Sequence, residues 1–175
     1  MADDLSAVLV VDDSHANRSY LAHVLEEDGY RILQAGSGEE CLEIARAERP
    51  ALILLDVVMT GIDGFETLRR LKADRATRRP AVIMLTSMGD DRSKLKAFDF
   101  GAVDYIVKSA SGAEVRARVR VHLRLAAADA ELVAARAESL RQLARAQRSL
   151  LVQPGELPAA RFAAYYRSLH EAGGD

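Results

Sequence analysis

Apolar positions along this chain alternate between two rhythms. Short unbroken runs appear at Ala7–Val11, Leu52–Leu55 and Ala81–Leu85, each bounded by turn-forming residues. A run of four to six apolar residues framed by turns is the pattern of a strand buried on both faces. Between the runs the apolar residues recur every three or four positions. Ser14 can cap a helix in which Asn17–Glu27 carries Leu21, Val24 and Leu25 on one face, stopped by Asp28-Gly29. Cys41, Leu42, Ile44 and Ala45 mark a second, opened by Ser37-Gly38 and ended before Pro50. Phe65, Leu68 and Leu71 mark a third over Gly64–Ala73, and a fourth is expected over Asp91–Phe100, stopped by Gly101. Tyr30–Ala35 and Tyr105–Val107 read as shorter strands, and Ser111 can cap a fifth helix. Five βα units in about 120 residues predict a doubly wound α/β fold around a five-stranded parallel sheet. Right-handed crossovers would set every strand's C-terminal end on one edge.

Polar residues matter most where the apolar runs stop. The first expected strand ends in Asp12 and Asp13, the third in Asp56, the fourth in Thr86 and the fifth in Lys108. Taken singly, Asp56 is an N-cap or turn residue, Thr86 a strand-end hydroxyl, Tyr105 a half-buried strand aromatic and Lys108 a surface lysine. Together they fall on the edge where open α/β sheets bind ligands. Three carboxylates brought together repel unless a cation joins them, and an all-oxygen set suits a hard divalent ion such as Mg2+. His15, next to the acids, reads as a helix-start residue facing solvent. His23, His122 and His170 show no ligand spacing.

The pieces VLVVDDS, LILLDVVMTGIDGFE, VIMLTS and DYIVK, in this order, resemble the receiver domain of two-component response regulators over residues 5 to about 122. The resemblance implies a CheY-like, flavodoxin-like fold in which Asp56 accepts a phosphoryl group from the phosphohistidine of a sensor histidine kinase or phosphotransfer protein. It implies that Asp13, Asp56 and the backbone carbonyl of Val58 hold Mg2+, with Asp12 in support. Lys108 and Thr86 would contact the phosphoryl oxygens, and Tyr105 would swing inward as Thr86 moves. Two positions depart from the family pattern. Ser109 stands where a proline, often cis, usually follows the lysine; a cis bond before a non-proline costs about 3 kcal/mol, so the loop is expected to differ. Thr60 stands where the family often has proline.

Composition narrows the class. With 49% hydrophobic and 29% charged residues, the chain can bury a real core. No apolar run is long enough for a membrane span, and the N-terminus MADDLSAVLVVDD is no signal peptide. The single cysteine, Cys41, lies in a helical apolar pattern and reads as core; a cytoplasmic protein is expected. Residues 1–110 hold 19 acidic and 14 basic residues, and residues 111–175 hold 7 and 10. The acidic half suits a metal site. The basic excess of the tail is too dilute for a nucleic-acid footprint, and no nucleic-acid or membrane partner is expected.

From Ser111 to Ser149 there is no proline and one glycine, and Ala, Arg, Leu and Glu dominate. Steps of three and four pick out Val119, Leu123, Ala126, Ala130, Val133, Ala137, Leu140 and Ala144, interrupted by Gln147 before Leu151. This predicts an extended helix forming a parallel homodimeric coiled coil with an alanine-thin seam, the alternative being a helix packed back on its own domain. The division expected is receiver 1–122, linker helix 123–152 and a third segment 153–175. That segment, with QRSLL before it and EAGGD at its end, resembles the opening of a PP2C-type (SpoIIE-like) serine/threonine phosphatase. The resemblance would give Asp175 the role of a Mn2+ or Mg2+ ligand and make this stretch a truncated start, poorly anchored after residue 152. Gly-Gly-Asp also resembles diguanylate cyclases, in which it lies deeper in the domain. The main expectation is a phosphorylation-controlled regulator that signals through the helical linker to a phosphatase, this stretch having only the receiver's own phosphoryl chemistry. The rivals are a coiled-coil protein-binding output and a cyclase output. No helix-turn-helix follows the receiver.

Overall fold

The structure is a computed structural model that describes residues 6–87 and 91–150. The described residues fall into two units, one ending at Asp129 and the other beginning at Ala130. In the first unit the elements run β1 (Ala7–Val11), α1 (His15–Glu26), β2 (Arg31–Ala35), α2 (Gly38–Glu48), β3 (Leu52–Asp56), α3 (Gly64–Ala73), β4 (Ala81–Thr86), α4 (Asp91–Asp99) and β5 (Asp104–Val107). The last element, α5 (Gly112–Leu150), starts in the first unit and ends in the second.

All four strand pairings are parallel, in the order β2-β1-β3-β4-β5. The strand-period alternation then divides the core into two layers. Leu9, Val11, Ile53, Leu55, Val82, Met84 and Tyr105 meet Cys41 and Ala45 of α2, Phe65, Leu68 and Leu71 of α3, and Ala97 of α4. Val8, Val10, Leu52, Leu54, Ile83, Leu85 and Ile106 meet Leu21 and Leu25 of α1, and Val115, Val119 and Leu123 of α5. This is the doubly wound fold that the βα alternation predicts. The central strands β1, β3 and β4 are buried throughout, whereas β2, at the edge, is not.

Local chemistry sets the element ends. The Ser14 side chain accepts from the Asn17 N–H, so α1 begins at His15, directly after the cap expected from the sequence. Ser37 and Asp63 cap α2 and α3 in the same way. Strands β3 and β4 run one residue beyond their apolar runs, taking Asp56 and Thr86 into the ladder. Gly64 opens α3 because nothing larger fits: a Cβ there would lie 2.1 Å from the Asp56 carbonyl oxygen.

In the second unit residues 130–147 are exposed except for the half-buried Ala137, and Leu132, Val133, Leu140 and Leu143 are 62–67% exposed. Segment 151–175, including the QRSLL end, EAGGD and Asp175, lies outside the described residues. Among the described residues no helix is long and apolar enough to cross a membrane.

Candidate functional site at the C-terminal edge of the sheet

Two neighbouring strand ends supply the three acids. Asp12 follows β1, Asp13 follows it, and Asp56 closes β3, β1's neighbour. One oxygen from each carboxylate lies within 4.8 Å of the others. Asp12 and Asp56 are buried, at 1% and 2% exposure, while Asp13 is open to solvent. Lys108, one residue past β5, reaches across β4. Its Nζ donates to Asp12 Oδ2 and lies 2.7 Å from both Asp12 Oδ2 and Asp56 Oδ2. Its backbone N–H donates to the Thr86 carbonyl at 2.6 Å, which fixes the start of the lysine arm. Thr86 is buried at the end of β4, and Tyr105 is buried opposite Met84 in the α2–α3–α4 layer. No cis peptide bond occurs among the described residues, and Lys108 reaches both acids with Ser109 behind it.

The charges explain the shifts. Burial pushes the Asp56 carboxyl above the ordinary aspartate value, and the hydrogen bond and charge of Lys108 offset only part of this. Burial alone would lower the Lys108 ammonium, but its hydrogen bonds to Asp12 and Asp56 outweigh that and raise it. With all four groups charged, three carboxylates and one ammonium leave two negative charges on the rim. An all-oxygen donor set with one arm in water and that residual charge fits a hydrated divalent cation of the Mg2+ type.

Several supporting contacts were not anticipated from the sequence. Asn17 Nδ2 donates to both Asp12 oxygens, at 3.2 and 3.1 Å, and the Ser14 N–H donates to Oδ1 at 2.9 Å. Arg18 donates to the Asp12 carbonyl at 2.7 Å. The Thr60 N–H donates to Asp13 Oδ2 at 3.0 Å, and the Val58 N–H to Asp56 Oδ1 at 3.4 Å. The usable signal was the Ser14 cap, which brings the third helical residue back over the acid pair. His15 is exposed, with Nδ1 3.4 Å from the Ser19 hydroxyl, as expected of a surface residue. His122 does have a partner, though no metal-ligand set: its Nε2 lies 3.1 Å from Asp104 Oδ2, beside Arg118.

A doubly wound parallel sheet with acids, a threonine and a lysine on its C-terminal rim defines the CheY-like class of signalling domains. The sequence pattern described as the response regulator receiver domain matches residues 8–120. The chain belongs to that family. It is similar to the transcriptional regulatory protein AfsQ1 of Streptomyces coelicolor, 40% identical over 120 residues that make up 69% of this chain and 52% of AfsQ1. Among solved structures it resembles the N-terminal domain of a response regulator receiver protein from Methanoculleus marisnigri (40% identity, 66% of this chain, 94% of that one, TM-score 0.57). It also resembles the BeF3-activated receiver domain of Klebsiella pneumoniae RstA (28% identity, 68% and 99%, TM-score 0.64). The chain spans about half the length of the curated relatives it matches.

Proposed function

We propose that this receiver takes a phosphoryl group on Asp56 from the phosphohistidine of a sensor histidine kinase or phosphotransfer protein in the cytoplasm. The P–N bond of the donor breaks as a P–O bond forms to an Asp56 oxygen. Asp13, Asp56 and the Val58 carbonyl would hold Mg2+, with Asp12 in support. When bound, the ion supplies counter-charge to the phosphoryl oxygens. The observation that carries the reading is the single ammonium of Lys108 lying 2.7 Å from both Asp12 and Asp56. That places a positive charge where the oxygens of an incoming phosphoryl group would gather. The Thr86 hydroxyl, at the end of the adjacent strand, is drawn toward the new charge, and Tyr105 reports its movement toward β5 and α5. Incubation with acetyl phosphate and Mg2+ is expected to add the mass of one phosphoryl group. No gain, or a gain that persists in Asp56→Asn, rejects the assignment.

The output belongs to the same proposal. The receiver of residues 1–122 would act through the linker helix 123–152, paired in a parallel homodimer, on a PP2C-type phosphatase that begins near residue 153. The QRSLL and EAGGD segments support this. A native reading frame that continues into further aspartate-bearing metal motifs would favour it. A frame ending at Asp175 would favour the second reading, in which the helix itself is a protein-binding output. The exposed Leu132, Val133, Leu140 and Leu143 support that second reading. The regulators matched in name as transcriptional align through their receiver halves, so their outputs do not carry over.

A further inference from the structure

Opposite the acidic rim, at the N-terminal edge of the sheet, five arginines flank the starts of the paired strands β3 and β4. Arg46 and Arg49 lie at the end of α2, and Arg75, Arg78 and Arg79 lie in the loop from α3 to β4; all five are exposed. The Ala81 N–H donates to the Ala51 carbonyl at 3.1 Å, so Arg49 and Arg79 each stand two residues before that cross-strand bond, on neighbouring chains. Two of the acids nearby are already engaged: Glu48 pairs with Arg31, and Asp74 with Arg46 at 2.8 Å. The Arg46 bond holds the Asp74 carboxyl below its ordinary value. Among the described residues Arg49, Arg75, Arg78 and Arg79 form no ion pair.

Two features separate this cluster from an ordinary solvated loop. Its backbone is clamped from below. The buried Thr77 donates its hydroxyl hydrogen to the Leu71 carbonyl at 2.9 Å, and Lys72 Nζ donates to the carbonyls of Arg78 and Pro80 at 3.2 and 2.8 Å. The turn therefore presents its three guanidinium groups from a fixed base. Arg49, in addition, sits at φ +48°, and it is the only non-glycine residue at positive φ among those described. Glycine adopts that helix-ending conformation freely, and a side chain there is strained. Arg46 has the ordinary task of meeting a helix C-terminus; the other four lie past the helix ends.

We infer that this edge is a docking surface for the phosphate backbone of a nucleic acid. Guanidinium forks match phosphate oxygens in pairs. No large apolar side chain is exposed between residues 46 and 51 or 73 and 80, as a protein hot spot or an inserted membrane face would require. The sequence expectation of no nucleic-acid partner came from the dilute basic tail and the lack of a helix-turn-helix, and charge totalled by halves hides a basic cluster inside the acidic half. Because the whole chain carries net charge −2, attraction to a polyanion has to come from a local patch.

The test is fluorescence anisotropy of a labelled DNA duplex of arbitrary sequence, titrated with the full chain at low salt. Binding is expected, with log affinity falling against log salt at a slope of about −3 to −4, as for four phosphate contacts. The triple substitution Arg75→Ala, Arg78→Ala, Arg79→Ala should weaken it at least tenfold while far-UV circular dichroism and acetyl phosphate loading stay unchanged. No binding at low salt overturns the inference, as does equal binding by the triple variant. Equal affinity for polyglutamate, or for vesicles of anionic lipid, would also overturn it by assigning the surface to carboxylates or to membranes.

Discussion

Asp56 is a charge held in a place that disfavours it. Its carboxyl is raised by burial first, Lys108 offsets part of this, and Asp12 adds repulsion. Replacing it by asparagine keeps the shape, removes one of three clustered negative charges and leaves Lys108 still bonded to Asp12. Asp56→Asn is therefore expected to raise stability by about 1 kcal/mol, read as a higher Tm in metal-free buffer. A lower Tm would mean that the Lys108 pair outweighs both burial and repulsion. Under the proposed assignment of the acidic rim, Mg2+ would stabilise the folded state by mass action, by about 2.7 kcal/mol at a hundredfold excess over Kd. The corresponding rise in Tm should be present in the parent chain and absent in Asp13→Ala. A rise that survives Asp13→Ala would put the ion elsewhere.

At the scale of elements, the strand ends carry the site, and their neighbours hold them there. Gly64 lets the start of α3 press against the last residue of β3. Because a methyl group would meet backbone and not a movable side chain, Gly64→Ala is expected to cost about 1–3 kcal/mol, measured by denaturant unfolding, and to slow acetyl phosphate loading. Across β5 and α5, Asp104 is half-buried, and that partial burial alone would raise its carboxyl. The Tyr105 N–H, Arg118 and His122 outweigh that and hold it below the ordinary value. Its stabilisation is thus present above the unfolded-state pKa and is lost as pH falls through the lower folded value. Asp104→Asn should lose Tm at neutral pH and converge with the parent chain under acid conditions; a gap that stays constant with pH would remove the ion network as its cause. The strands and the acidic rim were legible in the sequence because buried apolar runs stop abruptly at charged residues. Asn17, Gly64 and His122 were not legible, since their roles depend on distances between elements that periodicity does not encode.

At the scale of the whole molecule, Leu132, Val133, Leu140 and Leu143 stay open to water along the later turns of α5. Under the proposed pairing of residues 123–152, sedimentation equilibrium should find a dimer, and a chain ending at residue 122 should be monomeric. Val133→Lys with Leu140→Lys should dissociate the dimer with Asp56 loading intact, whereas a monomeric parent chain would refute the pairing. The helical tail was visible in the sequence from its composition, but the seam's partner was not, because alanine-rich stripes leave the choice of neighbour open. The strand order carries a consequence for how the chain is made. The first strand pairs with the second and third, and the third brings in the fourth, so the pleated centre joins segments far apart along the chain. Until Leu52 has left the ribosome, Val8 to Val11 lack the neighbour that shields one whole flank. A nascent chain stalled near residue 50 would thus present an adhesive apolar ribbon, and chaperone engagement during synthesis should peak there and fade once the third strand emerges.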